Sequence, residues 1–408
     1  MKPDKEPRVR PGDGAIPLSV PHIAGNEWHY VKECLDTGWV SSVGRFVTRF
    51  ECELAAYVGV RHAVATASGT AALHTALMVA GIGTGDEVLV STLTFIAPAN
   101  AIRYVGARPV FIDADPVYWQ MDPERVAQFL ESRCSWNGRE LWNKTTGGCV
   151  RAIMPVHILG HPVDMDPIME LATRYNLIVI EDASESLGAK YKGQLTGTLG
   201  HIGCFSFNGN KIITTGGGGM LVTNNSGWAA SARHLTTQAK DDPIEYVHNS
   251  VGYNYRLTNV QAAIGCAQLE LLSEHISSKR AVATKYAGSL ANLPGVTLQA
   301  EAPWAFSTFW LYTILLEAKV LGRTSRDVLD EYRAAGIETR PLWQPIHLSV
   351  AHRDGVATGC RIAERLHRDA LSLPCSAGIR DEELRRVIRV LAPSEYGHVS
   401  PSHNSTAR

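Results

Sequence analysis

Between residues 61 and 225, short and nearly unbroken apolar runs alternate with helical patterns, and this alternation restricts the fold more than any other feature of the chain. The runs DEVLV (86–90), RPVFID (108–113), VRAIMPV (150–156), LIVIED (177–182), GCFSF (203–207) and GMLVT (219–223) lack the regular polar residue of a half-exposed strand. They predict strands buried on both faces. Helices are predicted between them over 69–80 behind a Ser68 cap, over 95–105 and 123–132, and over 165–175 behind Asp164. Such an order requires an α/β fold, a mostly parallel sheet covered by helices.

After Asn254 the pattern changes to RLTNVQAAIGCAQLELLSEHISSKRAVATKYAGSLANL, with apolar positions at three- and four-residue spacing. A smaller α+β segment follows, with a strand over 309–316 and helices near 324–335, 360–371 and 381–391. The expected organisation is a flexible tail over 1–15, an N-terminal segment and large domain over 16–255, a small C-terminal domain over 256–393 and a flexible tail over 394–408. The 39 Lys and Arg against 40 Asp and Glu leave no field that would grip nucleic acid. No run reaches the roughly 18 apolar residues of a membrane span, and MKPDKEPRVRPGDGAIPL has no apolar leader core, so the expected compartment is the cytoplasm. Eight scattered cysteines without a CxxC pair fit reduced, mostly buried thiols.

Three motifs carry chemistry. In VATASGTAALHTALMVAG (64–81) the turn Ser68-Gly69-Thr70 opens a helix, which on this motif alone reads as an ordinary capped start, though its free N–H groups and hydroxyl also suit a phosphate. In LIVIEDASES (177–186) Asp182 ends an apolar strand at the carboxyl edge, where open α/β sheets bind ligands; it either caps the next helix or pairs with a protonated pyridine nitrogen. In GCFSFNGNKIITTGGGGMLVTN (203–224) Lys211 lies between two strands beside the glycines 216–219. Partial desolvation at the sheet edge would favour the neutral amine that Schiff-base chemistry uses.

SGTAAL, the strand-ending EDA, SFNGNK with TTGGGGM, and GYNYRLTNVQAAIGCAQLE together resemble the DegT/StrS family of sugar aminotransferases, over about residues 16–392. The resemblance implies the type I PLP-dependent aminotransferase fold, pyridoxal 5′-phosphate (PLP) as cofactor, and a homodimer with active sites at its interface. It implies Lys211 as the Schiff-base lysine and proton carrier, and Asp182 as the partner of the pyridine nitrogen. It also implies phosphate contacts from Gly69, Thr70 and Ser206, ring stacking by Phe95, Glu185 near the cofactor hydroxyl, and Asn254 reaching the phosphate of the opposite subunit. Arg340 and His347 in RPLWQPIHL resemble a substrate-side motif, though a Pro-bounded loop reads the same way. Gly217 stands where relatives often carry an acidic residue. The insert ESRCSWNGRELWNKTTGGCVRAIMPVH and GWVSSVGRFVTRFE are similar to the LegC branch, which implies a UDP-linked 4-keto-6-deoxyhexose as acceptor, L-glutamate as donor and a place in legionaminic acid-type glycan biosynthesis.

Competing readings fit less well. GIGTGD does not open a helix after a strand, so a nicotinamide dehydrogenase is not supported, and it would leave Lys211 unused. His157 and His161 in HILGH have metal-ligand spacing, but Gly160 and Pro162 break the helix that would align them, so no metal is expected. A PLP- or PMP-dependent sugar dehydratase on the same fold would carry His in place of Lys211. A non-catalytic nucleotide-sugar sensor stays open at this point.

Overall fold

The computed structural model describes residues 14–242 and 244–392; the tail expected over 394–408, and that over 1–15 except Gly14 and Ala15, lie outside the described residues. The main sheet runs in the order His62–Thr66, Gly219–Thr223, Ile202–Ser206, Ile178–Asp182, Cys149–Met154, Asp86–Ser91, Arg108–Ile112, Val356–Ala357. Gly219–Thr223 pairs antiparallel with both neighbours, and the other pairs along this order are parallel. Val88, Leu89 and Val90 are all fully buried, as expected of a strand covered on both faces. The helix Gly69–Val79 packs on the sheet, its Ala72 and Ala76 buried in one core with Val64, Ile180, Cys204 and Leu221, and their small side chains allow close approach.

The predicted strands appear within two residues of their expected ends, except in the C-terminal unit, where the strand foreseen from 309 starts at Tyr312. Phe309 there is left-handed (φ 48°), and the Thr308 N–H donates to Gly160 O at 2.9 Å, which draws 308–310 away from the sheet and toward the large unit. The single helical pattern after Asn254 is two helices, Asn259–Glu270 and Leu272–Leu290. The bend at Leu271, whose N–H turns to Gln268 O, involves neither Gly nor Pro, and both helices keep a buried face, so the periodicity runs through it. His62–Thr66 and the helices Glu27–Asp36, Arg45–Val58 and Ser226–Thr236 have no counterpart among the predicted elements.

Two segments cross the division expected at residue 255. Ile16 exchanges hydrogen bonds with Gly336 O and Glu338 N, and Leu18 O accepts from Cys375 N, so the start of the described chain is joined to the C-terminal unit. In return Val356–Ala357 adds a strand to the main sheet, and Asp113 accepts from Ile362 N and Ala363 N at the start of the helix Arg361–Asp369. All eight cysteines are unpaired, and seven are buried. Among the described residues no helix is long and apolar enough to cross a membrane.

Candidate active site

The parallel strands end at one edge, and there the chain forms a cavity of about 390 Å³ lined by Gly69, Thr70, Phe95, Asp182, Glu185, Ser206 and Lys211, among others. Gly69, Thr70, Asp182 and Lys211 are read from separate motifs and Phe95, Glu185 and Ser206 from the family resemblance, and the sheet brings all seven to one cavity. Ser68 caps the helix Gly69–Val79 by accepting from Ala71 N–H at 3.0 Å, which leaves the N–H groups of Gly69 and Thr70 without an intrahelical acceptor. A Cβ at Gly69 would lie 2.7 Å from Ser206 Cβ and 3.2 Å from the hydroxyls of Ser184 and Ser206. One at Gly219 would strike Ser68 O at 2.4 Å, so the close approach of strand and helix start depends on glycine at both positions. Gly217, without the side chain relatives often have there, is held through its carbonyl by Gln261 Nε2 (2.6 Å) and Thr215 Oγ1 (2.7 Å).

Asp182 and Glu185 are both buried. Burial pushes the Asp182 carboxyl above its ordinary range, against the hydrogen bonds of Ser184 and the charges of Lys211 and His157. Glu185 is pushed up by burial as well, opposed first by Lys211. Its Oε2 accepts from Leu159 N–H at 2.9 Å, and its Oε1 lies 3.5 Å from Lys211 Nζ. Helix-start donors at one end and a buried carboxyl in want of a cation at the other fit a ligand with a phosphate and a protonatable ring, which PLP is.

Behind the site, His157 Nδ1 accepts from Val163 N–H at 3.0 Å, which puts its proton on Nε2, 2.9 Å from Glu181 Oε2. This buried pair fastens the loop that carries the Leu159 N–H. His161 donates from Nδ1 to Pro162 O (2.7 Å) and accepts at Nε2 from Ala302 N–H (3.0 Å). The two imidazoles foreseen as non-ligands are thus engaged in protein hydrogen bonds, and no group of three metal-ligating side chains occurs among the described residues. Burial holds His161 down at about 4, so it is neutral in the folded protein while the unfolded chain takes up a proton below about 6.5. Stability is therefore complete above that pH and is lost as the pH falls toward 4, by about 3 kcal/mol from this group. Urea midpoints measured from pH 7 to 4.5 should fall less steeply in His161→Asn; parallel curves would remove His161 as the cause.

Three of the expected residues do not line the cavity. Asn254 is exposed beside Tyr253 and Tyr255. His347 bridges Thr92 Oγ1 (2.7 Å) and Glu364 Oε1 (3.2 Å). Arg340 pairs with Glu338 at 2.7 Å in an adjoining cavity of about 360 Å³ that shares Asn210, Trp310 and Trp343 with the first. Sequence reasoning missed Ser184, which stands in DASES two residues beyond Asp182, and both tryptophans, which are hidden in apolar or Pro-bounded runs. The insert thought to mark the acceptor forms the hairpin Cys134–Trp136 with Leu141–Asn143 at the amino edge of the sheet, where Asn143 Nδ2 donates to Glu87 Oε2 at 2.8 Å. That is the edge opposite the cavity.

Residues 21–392 match the model of the DegT/DnrJ/EryC1/StrS aminotransferase family. GDP-perosamine synthase of Caulobacter vibrioides is 44% identical over 92% of this chain and 97% of its own length. UDP-N-acetyl-3-dehydro-alpha-D-glucosamine 3-aminotransferase of Acidithiobacillus ferrooxidans is 36% identical over 85% and 88% of the two chains. Among solved structures, S. venezuelae DesV superposes with a TM-score of 0.81 at 32% identity, over 90% of this chain and 94% of that one.

Proposed function

The chain belongs to the DegT/DnrJ/EryC1/StrS aminotransferase family and is a PLP-dependent nucleotide-sugar aminotransferase of type I fold, and from that premise we propose its substrates and the roles of its residues. The reaction proposed is transfer of the amino group of L-glutamate to the 4-keto carbon of a GDP-linked 6-deoxyhexose, by a cytoplasmic homodimer. The observation that carries the reading is the convergence of Lys211, Glu185 and Asp182 with a free helix start in one cavity. GDP replaces the UDP expected from the sequence for two reasons. Of the two motifs behind that expectation, the insert forms a hairpin at the far edge of the sheet, and the GDP-linked relative is more alike than the UDP-linked one, 44% against 36%.

Bound in the cavity, PLP supplies a carbonyl carbon that takes and returns the amino group and a ring that withdraws electrons. Gly69 and Thr70 N–H groups, with the Ser206 and Ser184 hydroxyls, would hold its phosphate. Asp182 would keep a proton on the ring nitrogen, and that cation in turn offsets the burial of the carboxylate. Phe95, 57% exposed at the cavity wall, has the free face that stacking requires. Lys211 Nζ would carry the proton, with Glu185 holding the ammonium close by. The presence of Lys211 speaks against a dehydratase.

Holoenzyme given L-glutamate with GDP- and UDP-linked 4-keto-6-deoxyhexoses should form an amino sugar detectable by mass, with kcat/KM at least about tenfold higher for GDP, the effect of one base-specific hydrogen bond. Preference for UDP would restore the UDP-linked acceptor, and no amine from any substrate would reject amino transfer to these sugars.

A further inference from the structure

We propose that Trp310 is a further catalytic residue, whose indole face binds the ammonium form of Lys211 and so sets how readily that amine reacts. The inference rests on the assignment of Lys211 as the reactive amine. Lys211 Nζ lies 4.0 Å from the Trp310 ring centroid, with Glu185 Oε1 at 3.5 Å, so the ammonium has a carboxylate and a π face as neighbours, and the buried Asp182 also acts on it through its charge. Trp gives the strongest cation–π contact of the aromatic side chains, and the contact strengthens when water is excluded. Here Trp310 is 3% exposed as a residue and the Lys211 side chain 13%.

The ring is held more firmly than packing alone would hold it. Its Nε1–H donates to Asn210 O at 2.7 Å, next to Lys211 in the chain. Its carbonyl accepts from Lys279 Nζ at 2.9 Å, and the same ammonium reaches Cys375 O at 2.8 Å. Lys279 is 3% exposed and makes no salt bridge with a carboxylate among the described residues, so a second buried cation serves to fix this peptide. On the other side Gly160 makes room, since a Cβ there would sit 2.7 Å from Trp310 N. Left-handed Phe309 turns the chain so that Trp310 faces Lys211 and not the sheet. A π face differs from Glu185 in one chemical respect: it stabilises the ammonium but has no lone pair to take the proton.

The test uses apoenzyme, with Trp310 replaced through nonsense suppression by mono-, di- and trifluorotryptophan, which keep the shape of the ring while draining its negative face. Competitive labelling with acetic anhydride at pH 7, read by peptide mass spectrometry, reports Lys211 reactivity against the exposed Lys319. Labelling of Lys211 should rise stepwise with fluorine count, by about twofold to thirtyfold across the series, as the ammonium loses its partner. Trp310→Phe should lie between wild type and Trp310→Leu. A flat or falling series overturns the proposal, and because the fluorinated rings are near-isosteric, misfolding of Trp310→Leu does not obscure the result. Borohydride reduction of wild-type holoenzyme separates the two assignments: a pyridoxyl label on Lys211 with a flat series rejects Trp310 alone, whereas a label elsewhere rejects Lys211 as the reactive amine.

Discussion

Lys211→Ala should reduce amino transfer by about four orders of magnitude or more, the scale on which removing a nucleophile acts. The visible absorption of the holoenzyme should disappear with it, while the fold persists, because the side chain makes no hydrogen bond on which an element depends. The structure provides a demanding comparison in Lys279, a second lysine within the Trp310 network whose amine is pushed toward neutrality by burial. Lys279 does not line the cavity, and its ammonium is bound to two carbonyls. Borohydride reduction of the holoenzyme followed by peptide mapping should therefore label Lys211 and leave Lys279 unmodified. A pyridoxyl group on Lys279 or any other lysine would overturn the assignment.

The large unit was legible because its information is local. A strand covered on both faces must be nearly all apolar, so LIVIED and GMLVT announced themselves, and a residue ending such a strand, Asp182, was placed at the ligand edge by topology alone. Ser68 signalled the helix start by the side-chain oxygen a cap needs. What stayed hidden depends on partners distant in sequence. Trp310 sits in FWLYTILL, which reads as one strand, and only the hydrogen bond between Thr308 N–H and Gly160 O shows why its first residues leave the sheet. Ile16 and Leu18 come after a Gly- and Pro-rich start and carry no periodicity, so their union with the C-terminal unit had no local sign. The hairpin Cys134–Asn143 drew attention through its resemblance to one branch of the family, yet its place at the amino edge is set by the pairing of Leu141–Trp142 with Cys149–Val150.

If the Asn254→Asp and Lys211→Ala homodimers are both inactive, mixing them should restore activity once their subunits exchange. Asn254 is exposed and outside the cavity of its own chain, and it lies just beyond a segment that presents Ile244, Tyr246 and Val251 to solvent. An amide there serves a phosphate if it reaches the site of a second copy, as the family resemblance implies. Asn254→Ala removes a hydrogen bond worth about 1–3 kcal/mol when its acceptor is charged. Asn254→Asp is expected to be the more damaging, since it adds a negative charge beside a phosphate. In a heterodimer one site would carry both defects, while the other would combine intact Lys211 with intact Asn254 from its neighbour. Random exchange of equal amounts makes about half the dimers mixed, each with one sound site, so activity should return to about a quarter of wild type. Heterodimers shown by mass to have formed, yet inactive, would mean that Asn254 serves its own subunit or that the two sites do not work independently.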